Sequence, residues 1–351
     1  MRDALATRIA ALIDRLRDGG ADEAARDALL AEVAQLQRER VAPYARLWRA
    51  RGALPAMPTD VFRHARVAAH PESEDVRVFL TSGTTSGARG RHAFRELALY
   101  DRAAEAAARY ALFPDVARVR LVMLAPHPDE APSSSLSYML GRFEAWFGSG
   151  TCWAWREGAL ALEALIEALR EAEQAGEPVA ILGTSFALVH AEDALGEVRF
   201  ALPAKSRLMQ TGGYKGRSRE VAPEALRAAL SLRYGLDDAW IVAEYGMTEL
   251  SSQMYEATLR AAALGAPIPA RRLWIPGWVR ASVVDPSTLA PVPEGSVGVL
   301  RLDDLANLDS VCAIQTSDLA IARGDRIELL GRAPGATPRG CSLAVEEALG
   351  S

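Results

Sequence analysis

Thr81-Ser82-Gly83-Thr84-Thr85-Ser86-Gly87-Ala88-Arg89-Gly90 follows a short apolar, β-branched run, Val76-Arg77-Val78-Phe79-Leu80, that reads as a buried strand. It leads into a helix-like segment from Arg95 to Ala108. Glycines let the backbone turn tightly and bring N–H groups close to a ligand, and threonine and serine hydroxyls add donors for phosphate oxygens. The spacing is neither the GxxxxGK[ST] of a P-loop nor a GxGxxG fingerprint. Taken alone, the stretch also fits a Ser/Thr-rich surface turn. What lies around it separates the two readings.

Downstream, β-type runs alternate with helices. Arg118 to Leu124, Pro178 to Leu182, Ser206 to Gln210, Trp240 to Val242, Val279 to Val284 and Val297 to Leu302 are the strand candidates. Ala159 to Gln174, Pro223 to Leu232 and Ser342 to Leu349 read as helices. This alternation predicts an α/β fold with at least one largely parallel sheet, and the Pro/Gly-rich stretch from Pro286 to Gly298 predicts a turn between later, hairpin-like strands. Upstream, Leu5, Ile9, Leu12, Ile13 and Leu16 fall on one helical face that Gly19-Gly20 ends, and a second helix is predicted from Glu23 to Arg40. These helices carry no evident chemistry and form a packing layer over residues 1–54. The core is expected over 55–330, with a hinge-like tail over 331–351.

Composition narrows the function. The 351 residues are 50% hydrophobic and 24% charged, enough to build a large core. A net charge of −5 does not suggest a nucleic-acid or membrane-surface binder. Three scattered cysteines, Cys152, Cys312 and Cys341, do not make a disulfide framework or a zinc site, so a cytoplasmic setting is expected. No apolar run reaches membrane-spanning length, and the first twenty residues are charged and amphipathic, unlike a secretory signal. Lys205 and Lys215 are the only lysines.

Four further clusters sit where strands are predicted to end, the edge at which α/β proteins collect ligands. They are Leu208-Met209-Gln210-Thr211-Gly212-Gly213, Glu244-Tyr245-Gly246-Met247-Thr248-Glu249, Gln315-Thr316-Ser317-Asp318-Leu319, and Gly331-Arg332 followed by Arg339-Gly340-Cys341. In order and spacing they resemble the adenylate-forming ligases, the superfamily of acyl-CoA synthetases, peptide-synthetase adenylation domains and luciferases. Thr81 to Gly90 is similar to that superfamily's phosphate loop, with Ser86, Ala88 and Arg89 where Gly, Pro and Lys are usual. Tyr245 to Glu249 matches its Tyr-Gly-x-Thr-Glu motif, and Thr316-Ser317-Asp318 looks like its Thr/Ser-Gly-Asp motif with Ser317 in place of Gly. A large N-terminal domain of that type is expected, with stacked sheets and flanking helices. The usual mobile C-terminal domain, which supplies a lysine, is not expected in full, since no lysine follows Lys215. Such a short version is most similar to the luciferase acyl-protein synthetases, as are the Ser133-Ser134-Ser135-Leu136 segment, the run from Thr211 to Lys215 and the terminal Arg339-Gly340-Cys341-Ser342-Leu343.

That resemblance implies ATP and Mg²⁺ as cofactors, a fatty or other carboxylic acid as substrate, and an acyl-reductase or other acceptor protein as partner. It implies that Thr81, Ser82, Gly83, Thr84, Thr85 and Arg89 hold the β- and γ-phosphates. Thr248 would bond the α-phosphate, and Glu249 would hold the metal. Gly212, Gly213, Gly246 and a stacked Tyr245 would line the adenine, while Asp318 and Arg332 would take the ribose. His127 would lie beside the substrate carboxylate, and Lys215 is a candidate for the missing lysine. Cys341 matches the acyl acceptor, with Arg339 favouring its thiolate and Gly340 giving it freedom to swing. Ordinary alternatives stay open: Tyr245 as core packing, Arg332 as a surface ion pair, Cys341 as a small apolar side chain. Two other functions also stay open, a ligase that uses free CoA and a non-catalytic subunit that binds an adenylate.

Overall fold

The computed structural model describes residues 1–52, 54–81, 88–212, 221–332 and 339–350. Helices α1 (Arg2–Leu16), α2 (Glu23–Arg40) and α3 (Ala42–Arg51) open the chain. Strand β1 (Met57–Pro58), the one-turn helix α4 (Val61–His64), strands β2 (Arg77–Leu80) and β3 (Arg91–Phe94) and helix α5 (Ala98–Ala111) follow. Next come β4 (Val119–Pro126), α6 (Ser135–Phe147), β5 (Gly148–Arg156), β6 (Ala159–Leu160), α7 (Leu162–Ala175), β7 (Val179–Thr184) and α8 (Ser185–Leu195). After these lie β8 (Arg207–Thr211), α9 (Pro223–Tyr234), β9 (Ile241–Tyr245), β10 (Met254–Glu256) and α10 (Thr258–Ala263). The chain closes with β11 (Leu273–Trp274), β12 (Val279–Val284), β13 (Val297–Asp304), β14 (Ala313–Arg323), β15 (Arg326–Arg332) and α11 (Arg339–Leu349). Among the described residues no helix is long and apolar enough to cross a membrane.

The chain folds as two units. One comprises Met1–Ala107, Met247–Met254 and Arg272–Ser351; the other comprises Ala108–Gly246 and Tyr255–Arg271.

The second unit is built on a parallel sheet in which β5, β4, β7, β8 and β9 are neighbours in that order, with β6 antiparallel on β5. Strands covered on both faces read as near-continuous apolar runs, and VRLVMLAP in β4 and VAILGT in β7 do so. Val122, Ile181, Leu208 and Ile241 from the sheet pack with Leu165, Leu188, Leu230 and Tyr234 from the helices into one core. The predicted α/β alternation is therefore present. The expected helix at Ala159 starts only at Leu162, because Ala159 and Leu160 pair with Arg156 and Trp155 as β6.

In the first unit, β12, β13, β14, β15 and β11 form an antiparallel sheet, with β1 added in parallel beside β14. Among the described residues, the stretch expected as a buried strand, β2, pairs with β3 alone, and Phe79 is its one buried residue. Helix α1 buries the predicted stripe of Leu5, Ile9, Leu12, Ile13 and Leu16. Helix α2, capped by Asp22 on the Ala25 N–H at 3.0 Å, buries Leu29, Leu30, Val33 and Gln37. Gln37 is a buried polar residue with full employment. Its amide donates to the Asn307 carbonyl at 2.8 Å, and its oxygen accepts from the Cys312 N–H at 2.8 Å. Such pairing is what makes burial of an amide tolerable.

Candidate active site

In the second unit, the carboxyl ends of parallel strands collect three of the predicted residues. Tyr245 ends β9, Gly212 follows Thr211 at the end of β8, and His127 follows Pro126 at the end of β4. Gly212 has φ +66°, a left-handed conformation that glycine adopts without strain, and its carbonyl accepts the Ser185 hydroxyl at 2.9 Å. The register places Thr211 opposite Glu244, and the two side chains hydrogen-bond. Burial raises the Glu244 carboxyl to about 7, with the Thr211 hydroxyl opposing the shift. His127 sits edge-on to Trp153, ring centroids 4.9 Å apart, and its Nδ1 accepts the Asp129 N–H at 3.2 Å.

The first unit holds Thr81, Arg89, Thr248, Glu249, Asp318, Arg332 and Cys341. Thr81 and Gly90 clasp the ends of the Ser/Thr/Gly loop: the Thr81 N–H donates to the Gly90 carbonyl at 2.9 Å, and the Gly90 N–H donates to the Thr81 hydroxyl at 2.8 Å. Arg89 turns its guanidinium onto the Thr81 and Leu80 carbonyls at 2.6 and 3.2 Å. Ser82, Gly83, Thr84, Thr85, Gly213 and Lys215 lie outside the described residues.

Thr316-Ser317-Asp318 does not end a strand, as the sequence suggested, but interrupts β14. Val299 pairs with Leu319 and Arg301 with Gln315, so three residues stand opposite Leu300 in a bulge. The Leu300 carbonyl accepts the Thr316 hydroxyl at 2.8 Å, and that hydroxyl accepts the Asp318 N–H at 3.1 Å. Bulges of this kind re-aim side chains beside functional sites. Asp318 lies across from Arg332 in the β14–β15 register, its Oδ1 3.5 Å from the Arg332 Nε.

Thr248 and Glu249 stand on a segment fixed from behind. His92 Nδ1 is 2.7 Å from the Thr248 carbonyl, and the Asn307 amide donates to the Glu249 carbonyl at 2.8 Å. Buried Asp304 accepts the Ser251 and Ser252 N–H groups at 3.0 and 2.9 Å. The Glu249 side chain is buried, which raises its carboxyl to about 7; Arg63 and Arg332 pull the other way, and Asp60 adds to the rise. A buried carboxylate near neutrality gains from a counter-charge. Among the described residues no cluster of three or more His, Cys, Asp or Glu could hold a metal.

Cys341 departs from expectation. It is 2% exposed within α11, and its Sγ faces the Thr316 carbonyl at 4.0 Å. Burial pushes the thiol up to about 11; Asp60 adds to this, and Arg51 opposes it. Burial thus disfavours the expected thiolate, and the Arg339 side chain lies outside the described residues. Gly340 is not a free swivel. Its N–H donates to the Pro286 carbonyl at 2.9 Å, and a Cβ there would meet the Pro286 and Ser287 carbonyls at 2.8 Å. Arg51 pairs with Glu347, and Arg46 donates to the Ala348 carbonyl at 2.6 Å, which ties α11 to α3.

Sequence reasoning missed His92, Asp60, Asn307 and the Thr211–Glu244 pair. Only Asp60 carried a local signal, an acid just ahead of the Val61-Phe62 helical turn.

Solved structures share this fold. A 2-hydroxyisobutyryl-CoA ligase, in an open conformation in complex with 2-HIB-AMP and CoA, matches with TM-score 0.63 and 17% identity over 92% of this chain and 79% of that one. The amide bond synthetase McbA from Marinactinospora thermotolerans matches with TM-score 0.50 and 18% identity over 76% of this chain and 52% of that one. The fold is that of the adenylate-forming ligases. Within it, the chain belongs to the acyl-protein synthetase family, LuxE, whose sequence pattern matches residues 51–350. An 81-residue stretch is 33% identical to the long-chain-fatty-acid–luciferin-component ligase of Vibrio harveyi, spanning 21% of either chain.

Proposed function

We propose that the protein activates a carboxylic acid, a fatty acid in our reading, in two half-reactions. The acid's carboxylate oxygen attacks the α-phosphorus of ATP, forming the acyl–AMP bond and releasing pyrophosphate. The Cys341 thiolate then attacks the acyl carbon, a thioester forms, AMP leaves, and the thiol proton goes to solvent. An acceptor protein of the acyl-reductase kind would then collect the acyl group.

Alignment and charge stabilisation on the phosphoryl oxygens are the main demands of the first step. Thr248 would donate its hydroxyl to the α-phosphate, and the loop from Thr81 to Arg89 would take the outer phosphates. Asp318 would accept the ribose hydroxyls from its bulge, with Arg332 beside it. Gly212, Gly213, Tyr245 and Gly246 would receive the adenine. His127 would face the acid, and Lys215 would stand in for a distant lysine. Mg²⁺ held at Glu249 would withdraw charge from the phosphates.

One observation carries the reading: Cys341 Sγ rests on Thr316, two residues before Asp318, in the same strand. A thiol seated against the bulge that would hold the ribose supports a reading in which α11 gives way and the thiol meets an acyl-adenylate. Intact mass after incubation with Mg-ATP and a panel of fatty acids tests this. A hydroxylamine-sensitive acyl adduct, absent in Cys341→Ser, is expected. Pyrophosphate release without an adduct would move the acceptor to another thiol. Neither signal with any acid would leave a nucleotide-binding subunit.

A further inference from the structure

We propose that His92 is a positioning residue of the adenylating centre: it holds the Thr248 backbone so that the Thr248 hydroxyl and Glu249 carboxylate keep their orientation toward the nucleotide phosphates. The inference rests on the adenylation reading above.

His92 is 1% exposed and belongs to β3, two residues beyond Gly90, where the Ser/Thr/Gly loop closes. Its Nδ1 reaches 156 residues along the chain to the Thr248 carbonyl at 2.7 Å. A carbonyl only accepts, so Nδ1 carries the proton and donates. Burial lowers the imidazolium to about 4, with the nearby His70 charge acting the same way and Asp309 opposing it; the ring is therefore neutral and its tautomer fixed. The ring itself cannot turn freely. It lies 4.2 Å from the Phe94 ring and meets Phe62 edge-on at 5.9 Å.

The consequence is mechanical. The loop assigned to the outer phosphates and the motif assigned to the α-phosphate and metal come from distant parts of the sequence. One short hydrogen bond ties the strand leaving the loop to the motif's main chain. Asn307 on the Glu249 carbonyl and Asp304 on the Ser251 and Ser252 N–H groups hold the segment after the motif, and His92 holds Thr248 from β3. Misplacement of reacting groups by about 1 Å costs on the order of a hundredfold in rate.

ATP–pyrophosphate exchange by the full chain tests the assignment, with wild type, His92→Ala, His92→Asn and His92→Gln measured side by side for kcat and KM(ATP). Asparagine places its amide N–H where Nδ1–H stands, whereas glutamine mimics Nε2. His92→Ala and His92→Gln are expected to lose roughly tenfold to a hundredfold in kcat with KM(ATP) changed less than about threefold, and His92→Asn to stay within about threefold of wild type. A purely structural role would lower the melting temperature of all three variants and leave the kcat of the folded fraction alike. That result, or a folded His92→Ala exchanging at the wild-type rate, overturns the inference alone. Absence of exchange in the wild type with every acid overturns the adenylation reading and the inference with it.

Discussion

Replacing Glu249 by glutamine separates what that carboxylate contributes to folding from what it contributes to chemistry. In the folded protein its pKa is raised from 4.5 to about 7 by burial. The native state thus binds the proton more tightly than the unfolded chain does. Stability from this group is complete below about pH 4.5 and is lost as pH rises through 7. A shift of that size corresponds to on the order of 3 kcal/mol between the two protonation states. Glutamine has the same shape and no charge, but burying its amide returns about 1–2 kcal/mol of that gain. The variant should therefore fall about 0–1 kcal/mol below wild type at pH 5 and exceed it by about 1–2 kcal/mol at pH 8. For 351 residues the unfolding entropy is roughly 0.7 kcal/mol/K, so the gain appears as about 1–3 °C in Tm. Thermal melts of both proteins across pH 5 to 8, without nucleotide, give the difference directly. In the same variant pyrophosphate exchange should fall about a hundredfold. A Tm difference that does not grow with pH, or a variant less stable than wild type at pH 8, would refute the reasoning.

Other outcomes follow from the docked tail and its surroundings. Alkylation of Cys341 by iodoacetamide should be slow at pH 7 and rise about tenfold per pH unit up to pH 10, because burial pushes the thiol up to about 11; peptide mapping reads it. Arg51→Ala removes the Glu347 pair and should cost about 1 kcal/mol or less in a urea melt, as expected of a part-exposed ion pair; because it also removes the charge that lowers the thiol, alkylation should change less than about threefold. Gly340→Ala forces a methyl against two backbone carbonyls, so it should lift the start of α11, cost about 1–3 kcal/mol in a urea melt and also expose the thiol. Asp304→Ala strands the buried Ser251 and Ser252 N–H groups and the Ser252 hydroxyl, and should cost about 3–5 kcal/mol, with exchange activity lost through the Thr248–Glu249 segment.

The parallel sheet was legible because β4 and β7 are buried on both faces and leave near-continuous apolar runs. Strand β5, with Gly148-Ser149-Gly150 at its start, leaves no such run, and it was not recognised. Thr316-Ser317-Asp318 was recognised by its residues but misplaced at a strand end, since a bulge leaves no periodic mark that differs from a strand's termination. Glu249 was legible as a lone acid among apolar neighbours. Its partners were not, because Asn307 and Asp304 reach it or its neighbours from more than fifty positions away. His92 was illegible for the same reason: a single histidine in a short strand says nothing of the carbonyl it meets. Cys341 was legible as a position, while its protonation depends on burial by α11, which no local pattern encodes.

The division of the chain into two units also sets an order of events during synthesis. Nearly everything the second unit needs is continuous, Ala108–Gly246 and Tyr255–Arg271, so it is complete while the ribosome still holds the last strands. The first unit must wait. Arg2 pairs with Asp309, and Gln37 with the backbone at Cys312, so the earliest helices emerge long before the residues that seat them. In that interval the apolar stripes of α1 and α2 are without the residues that later seat them, the kind of exposed surface that makes an incomplete chain prone to aggregate.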